Sequence, residues 1–150
     1  MDPITDNAVL LQRMRALFPP DIQLPGIACE IIEVDHDSGA ATLRFDVDEA
    51  RANQFGSVQG GVVATTLDGC IGIAGAVRSG GVLAMPLAEM NVSFVRPVPT
   101  GILIGTGLVT HLGRKVGFIE GTLCSVDGQV LARASGTAIP TPFPDTAIAP

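Results

Sequence analysis

One stretch constrains the fold more than any other: GVVATTLDGCIGIAGAVR, residues 61–78. It is too long for a buried strand, so it reads as one helix from Gly61 to about Arg78. Each interior glycine costs a helix ~1 kcal/mol relative to alanine. Gly69, Gly72 and Gly75 recur every third residue and form a smooth stripe. Such a stripe lets the helix lie close against a sheet or another backbone. A single acid, Asp68, interrupts the run. A buried acid in such surroundings has a reason: it caps a loop or pairs with an arginine, or it does chemistry.

The remaining sequence supplies the sheet. Residues 4–18 place Ile4, Leu10, Leu11, Met14, Leu17 and Phe18 at helical spacing, and Pro19-Pro20 stop that helix. Residues 27–35 read as a strand and HDSGA as a turn. In 41–48, Ala41, Leu43, Phe45 and Val47 alternate with Thr42, Arg44, Asp46 and Asp48. Residues 49–59 are a loop, and Ser79-Gly80-Gly81 ends the long helix. Four strands follow: AEMNVSFVRPV, ILIGTGLVTHL, VGFIEGTLCSV and QVLARASGTAI. In the first, Met90, Val92 and Phe94 share one face and Glu89, Asn91 and Ser93 the other. Asp127-Gly128 marks a hairpin. The prediction is an α+β fold: an antiparallel sheet curled around one long helix, with an extra N-terminal helix.

Composition narrows the function. Of 150 residues 47% are hydrophobic and 16% charged, which suits one globular domain. The net charge of −6 and the absence of Trp and Tyr argue against nucleic-acid binding. No window of ~18 uninterrupted apolar residues suggests a membrane span. The start, MDPITDNAVLLQRMR, lacks the basic region of a signal peptide, so a cytoplasmic protein is expected. Cys29, Cys70 and Cys124 are widely spaced and read as small buried hydrophobes, Cys70 as a packing neighbour of any site at Asp68. His36 sits in turn chemistry and His111 at a strand end. Neither has a partner at metal-binding spacing, so no metal is expected.

The start of the long helix offers unpaired N–H groups and a positive dipole end, suited to an oxyanion. Gly60 lets a ligand approach the backbone there. Asp68 lies two turns along and could act as nucleophile or activate water. Asn53 and Gln59 could orient water or substrate.

In order along the chain, Asn53, Gln59-Gly60-Gly61, Asp68, MNVSFVRPVPTG, HLGRK and DGQVLARASGT resemble the PaaI-type acyl-CoA thioesterases of the hotdog fold. That family's pattern is an Asn or Gln in a loop, then His-Gly-Gly, then a helix bearing Asp or Glu. The resemblance covers roughly residues 27–139. It implies a hotdog domain over 27–139, after an N-terminal helix and lead-in (1–26) and before a loose proline-rich tail (140–150). It implies an acyl-CoA substrate, with CoA part of the substrate and no separate cofactor. It implies a homodimer or dimer of dimers, with active sites shared across the subunit interface. Asp68 would be the catalytic carboxylate. The Gly60 N–H would polarise the thioester carbonyl, with Gly61 beside it. Asn53, from the same or the facing subunit, would position water or the acyl group. Arg114 and Lys115, with Arg96, would meet the nucleotide phosphates.

Two positions depart from the pattern. Gln59 stands where the family has His, and glutamine cannot titrate near neutral pH. Gly72 stands where some relatives carry Ser or Thr, although Thr65, one turn before Asp68, can present a hydroxyl on the same face. The acyl group expected is small and aromatic or of medium chain length. The alternatives are a hotdog protein that binds acyl-CoA or another small ligand without turnover, and a hotdog dehydratase, against which the absent His argues.

Overall fold

The structure is a computed structural model that describes residues 2–19 and 27–143. The first helix, α1, spans Asn7–Leu17. It starts three residues later than its periodicity predicts, because the Asp6 carboxylate caps it, accepting from the N–H groups of Ala8 and Val9. Ile4 stays outside the helix, and its N–H bonds the Gly80 carbonyl at 3.0 Å. At the other end Phe18 precedes Pro19 and has left helical geometry.

Strands β1 (Ile27–Asp35) and β2 (Ala40–Val47) form a hairpin whose turn includes Gly39 at φ +68°. A 3₁₀ turn, Glu49–Arg51, leads into α2, Gly60–Arg78. After it come β3 (Leu83–Ala84), β4 (Leu87–Phe94), β5 (Gly101–Leu112), β6 (Gly117–Ser125), β7 (Val130–Ala138) and β8 (Thr141–Pro142). Six strands make one sheet in the order β1-β2-β5-β6-β7-β4, with every neighbouring pair antiparallel. This is the hotdog arrangement expected, with α2 as its filling. The short β3–β8 pair adds a second, two-stranded sheet. Thr141–Pro142 is thus paired within the segment expected to be loose; residues 144–150 of that tail, like Pro20 of the helix stop, lie outside the described residues.

Val63, Leu67, Cys70, Ile71 and Ala74 of α2 are buried against Leu43, Phe45, Leu103, Ile119 and Leu123 of the sheet. The alternation in β2 is as expected: Ala41, Leu43, Phe45 and Val47 are buried. By length and mean hydropathy (1.5) α2 is apolar enough to cross a membrane, but 56% of that window is buried inside the fold, which accounts for its apolarity. The close approach of helix and sheet comes mainly from glycines on the strands. A Cβ at Gly107 would run into the Cys70 carbonyl and lie 2.7 Å from the Ala74 Cβ, and one at Gly105 would crowd Phe45 at the same distance. On the helix, Gly75 packs tightly against Ile119 and Met85. Gly72 does not: a Cβ there would meet nothing within 4 Å. The helix glycines therefore do not form one packing stripe.

At the sheet edge, β4 keeps Met90 and Val92 half-buried but leaves Phe94 57% exposed. Phe94, expected on one face with Met90 and Val92, stands at the strand end, over the start of α2.

Candidate active site

Two clefts open along α2. The first lies at its N-terminus and holds about 440 Å³, lined by Asn53, Gly60 and Arg96 together with Phe55, Phe94 and Val98. Gln59 is the helix N-cap, and its side chain makes no capping bond. Its carbonyl accepts from Val62 and Val63. Among the described residues no acceptor is bonded to the N–H of Gly60 or Gly61. These are the orphan donors of a helix start, at the positive end of its dipole.

The neighbouring loop is built around Asn53. Its Oδ1 accepts from the N–H groups of Phe55 at 2.9 Å and Ser57 at 3.2 Å. Gly56, at φ +77°, closes the turn by donating to the Asn53 carbonyl. The acceptor of this amide is therefore occupied, and among the described residues its Nδ2 donors make no bond. Arg96 donates from Nη1 to the Val130 carbonyl at 2.7 Å, which leaves the rest of its guanidinium facing outward.

The second cleft lies at mid-helix and holds about 540 Å³. Thr65, Asp68, Gly69, Gly72 and Ile73 form its helical wall. Phe18, Met85, Pro86, Leu87 and Pro142 face them. Asp68 is exposed in the single chain, not buried as its apolar neighbours suggested. Among the described residues it has no hydrogen-bond or ion-pair partner, so it neither caps a loop nor pairs with an arginine. Desolvation by its surroundings raises its carboxyl above the ordinary carboxylate pKa. Thr65 shares the cleft, and its hydroxyl donates to the Gly61 carbonyl at 2.9 Å.

The structure thus brings Asn53, Gly60 and Arg96 together, and separately Thr65 and Asp68. It does not bring the two groups to one point in one chain. Gly60 and Asp68 are eight residues apart on one helix, a rise of about 12 Å, too far for both to touch one carbonyl group. Arg114 and Lys115 join neither group. They are exposed in the β5–β6 turn, at the Leu87–Ala138 end of the sheet, whereas Gly60 lies beside Phe94 at the opposite end. His111 lies against Phe118 with ring centroids 6.4 Å apart, and His36 contacts Asp37 in the β1–β2 turn. Cys29 and Cys70 are buried and Cys124 half-buried; all are free, and burial pushes the Cys29 thiol up to about 11.

Sequence reasoning missed the far wall of the Asp68 cleft. Phe18, Met85, Leu87 and Pro142 come from segments with no motif. The one available signal was Phe18, an apolar residue at the very end of an amphipathic helix.

Residues 55–132 match the thioesterase superfamily. Among solved structures, a phenylacetic acid degradation-related protein from Ralstonia eutropha is 27% identical, with 85% of this chain and 98% of that one aligned at a TM-score of 0.73. The PaaI protein of the Escherichia coli phenylacetic acid degradation operon is 23% identical over 75% of this chain and 78% of its own, at 0.67. A Streptococcus mutans protein bound to acetyl-CoA shares the fold at 0.66, with 20% identity over 76% and 89% of the two chains. A comparison with curated protein sequences finds no match. The chain belongs to the thioesterase superfamily: it is a thioester hydrolase with the hotdog fold. Within that class its likeness is to the PaaI type, as the order of its motifs implied.

Proposed function

We propose that the protein hydrolyses an acyl-CoA carrying a small aromatic or medium-chain acyl group, releasing the free acid and CoA. The observation that carries this reading is the division of labour along α2: the N–H donors of Gly60 and Gly61 and the carboxylate of Asp68, none of which has a bonded partner among the described residues. Their separation supports a homodimer, or a dimer of dimers, in which Gly60 works with Asp68 of the partner subunit. Asn53 then acts beside Gly60 on the same chain. The solved structure of a hotdog neighbour with acetyl-CoA supports the choice of CoA as the carrier.

In this reading the thioester oxygen sits at the Gly60 N–H, with Gly61 beside it. Negative charge growing on that oxygen is stabilised by the donor and the helix dipole. The Asp68 carboxylate takes a proton from water as the water attacks the carbonyl carbon. The C–S bond then breaks, and the thiolate leaves with a proton. In the other route Asp68 attacks directly, and water cleaves the resulting anhydride. Gln59 donates a hydrogen bond and moves no proton. The Asn53 Nδ2 holds the water or acyl oxygen. Arg96 meets a phosphate near Gly60, and Arg114 and Lys115 reach the nucleotide across the dimer. Three free thiols suit a reducing compartment, and we place the protein in the cytoplasm.

The glutamine at position 59 favours a second reading, a binding protein that holds acyl-CoA without turnover. Thiol release from a panel of aromatic and aliphatic acyl-CoAs separates the two. Turnover by wild type that is lost in Asp68→Asn supports hydrolysis. Tight binding without thiol release, with activity gained in Gln59→His, supports the binding protein.

A further inference from the structure

The Asp68 cleft contains a glycine that neither packing among the described residues of the chain nor backbone geometry requires. Gly72 lies in mid-helix, where glycine is less stable than alanine by ~1 kcal/mol. Its φ is not positive, and a Cβ there would touch nothing within 4 Å. Gly75, one turn on, is different: its Cβ would come within 2.8 Å of Ile119 Cδ1. Gly72 therefore keeps open space in the cleft wall, one turn from Asp68.

The surrounding wall defines what that space takes. Among the described lining residues Asp68 carries the only charge; Phe18, Ile73, Met85 and Leu87 are apolar. Both lining hydroxyls donate within the chain, Thr65 to the Gly61 carbonyl and Thr141 to the Ile139 carbonyl. Phe18 lines the cleft, its ring set edge-on against Phe143 at 6.0 Å.

Building on the thioesterase reading above, we infer that the uncharged acyl group runs from Asp68 across Gly72 towards Phe18, and that these two residues set the acyl length accepted. Gly72 leaves the passage open, and Phe18 is its end wall. The residue that ends the N-terminal helix thus enters substrate selection.

The test uses the full chain with acetyl-, hexanoyl- and decanoyl-CoA, and with their ketone analogues, in which a methylene replaces the thioester sulfur. Gly72→Leu should lower the decanoyl-to-acetyl ratio of kcat/KM by about tenfold or more, the range a hydrophobic pocket gives for changes of one or a few methylenes. Phe18→Ala should move the same ratio the other way. Calorimetric Kd values for the ketones should follow both shifts. Ratios unchanged in both variants, or all substrates scaled equally, would overturn the inference. A wild type that hydrolyses none of the thioesters would count against the proposed reaction, and the ketone Kd ratios would still decide for or against the length gate. Gly72→Ala, melting at or above the wild-type temperature, shows that position 72 tolerates a side chain.

Discussion

The two clefts along α2 are built by different means. The one at the helix start is made of backbone: orphan N–H groups, a left-handed glycine at 56 and an amide that folds its own loop. Its lining lies within residues 53–63 and 94–98. The mid-helix cleft is made of side chains from four distant segments, and Asp68 is the one charged group among its described lining residues. Oxyanion stabilisation needs fixed dipoles, which a helix end provides locally. An acyl pocket needs volume and apolar walls, which arise only where remote elements meet. Chemistry on one carbonyl needs both, and α2 holds them about 12 Å apart.

The sharpest way to break this division is to disable each half separately. Asp68→Asn should lower kcat by about 10²–10⁴-fold if the carboxylate activates water. The raised carboxyl also sets a pH dependence. In the proposed reaction Asp68 acts as the charged carboxylate, so kcat should fall as pH drops through a value above the ordinary 3.8. The sign for stability is opposite. The fold disfavours the charged form, so its cost is absent below pH 3.8 and complete above the raised pKa. Asp68→Asn should therefore melt higher than wild type at pH 7 and lose that advantage in acid.

Gly60→Pro disables the other half. Proline suits the first helical position, and Gln59 at φ −60°, ψ 138° is extended as a pre-proline residue requires. The helix should survive while one donor is lost, with kcat down by about 10²–10³-fold. Mixing the two inactive proteins sharpens the comparison. If the halves meet across a two-fold axis, statistically mixed dimers should recover about a quarter of wild-type activity. No recovery after verified subunit exchange would mean that each chain works alone.

Smaller effects separate support from chemistry. Gly107→Ala should destabilise by about 1–3 kcal/mol through overpacking against Cys70, whereas Gly72→Ala should stabilise by ~1 kcal/mol. Thermal melts of the two variants should move in opposite directions. Asn53→Asp keeps the oxygen that accepts from Phe55 and Ser57 and removes the Nδ2 donor. If the donor serves the substrate, kcat/KM should fall by about tenfold for one lost hydrogen bond while the melting temperature holds.

Much of this was legible in the sequence because the signals are local. The period-two alternation of Ala41, Leu43, Phe45 and Val47 and the length of the 61–78 run determined the elements. The Gln59-Gly60-Gly61 step marked the helix start where the donors lie free. Three readings failed for one reason, that each depended on neighbours far away in sequence. Asp68 was expected to be buried, yet its face of the helix borders an open cleft. The helix glycines were expected to pack as a stripe, yet Gly72 faces that cleft and the close approach belongs to Gly105 and Gly107. Thr141–Pro142 was expected to be loose, yet it pairs with Leu83–Ala84.

By itself the sequence determined the strands, the central helix and the donor end of that helix, because period, glycine placement and helix-end chemistry act within a few residues. Only the tertiary structure decided what lies opposite Asp68, where Gly72 points and how far the acid stands from the donors. Those depend on how the sheet curls around α2 and on where both ends of the chain come to rest, and no local pattern encodes either.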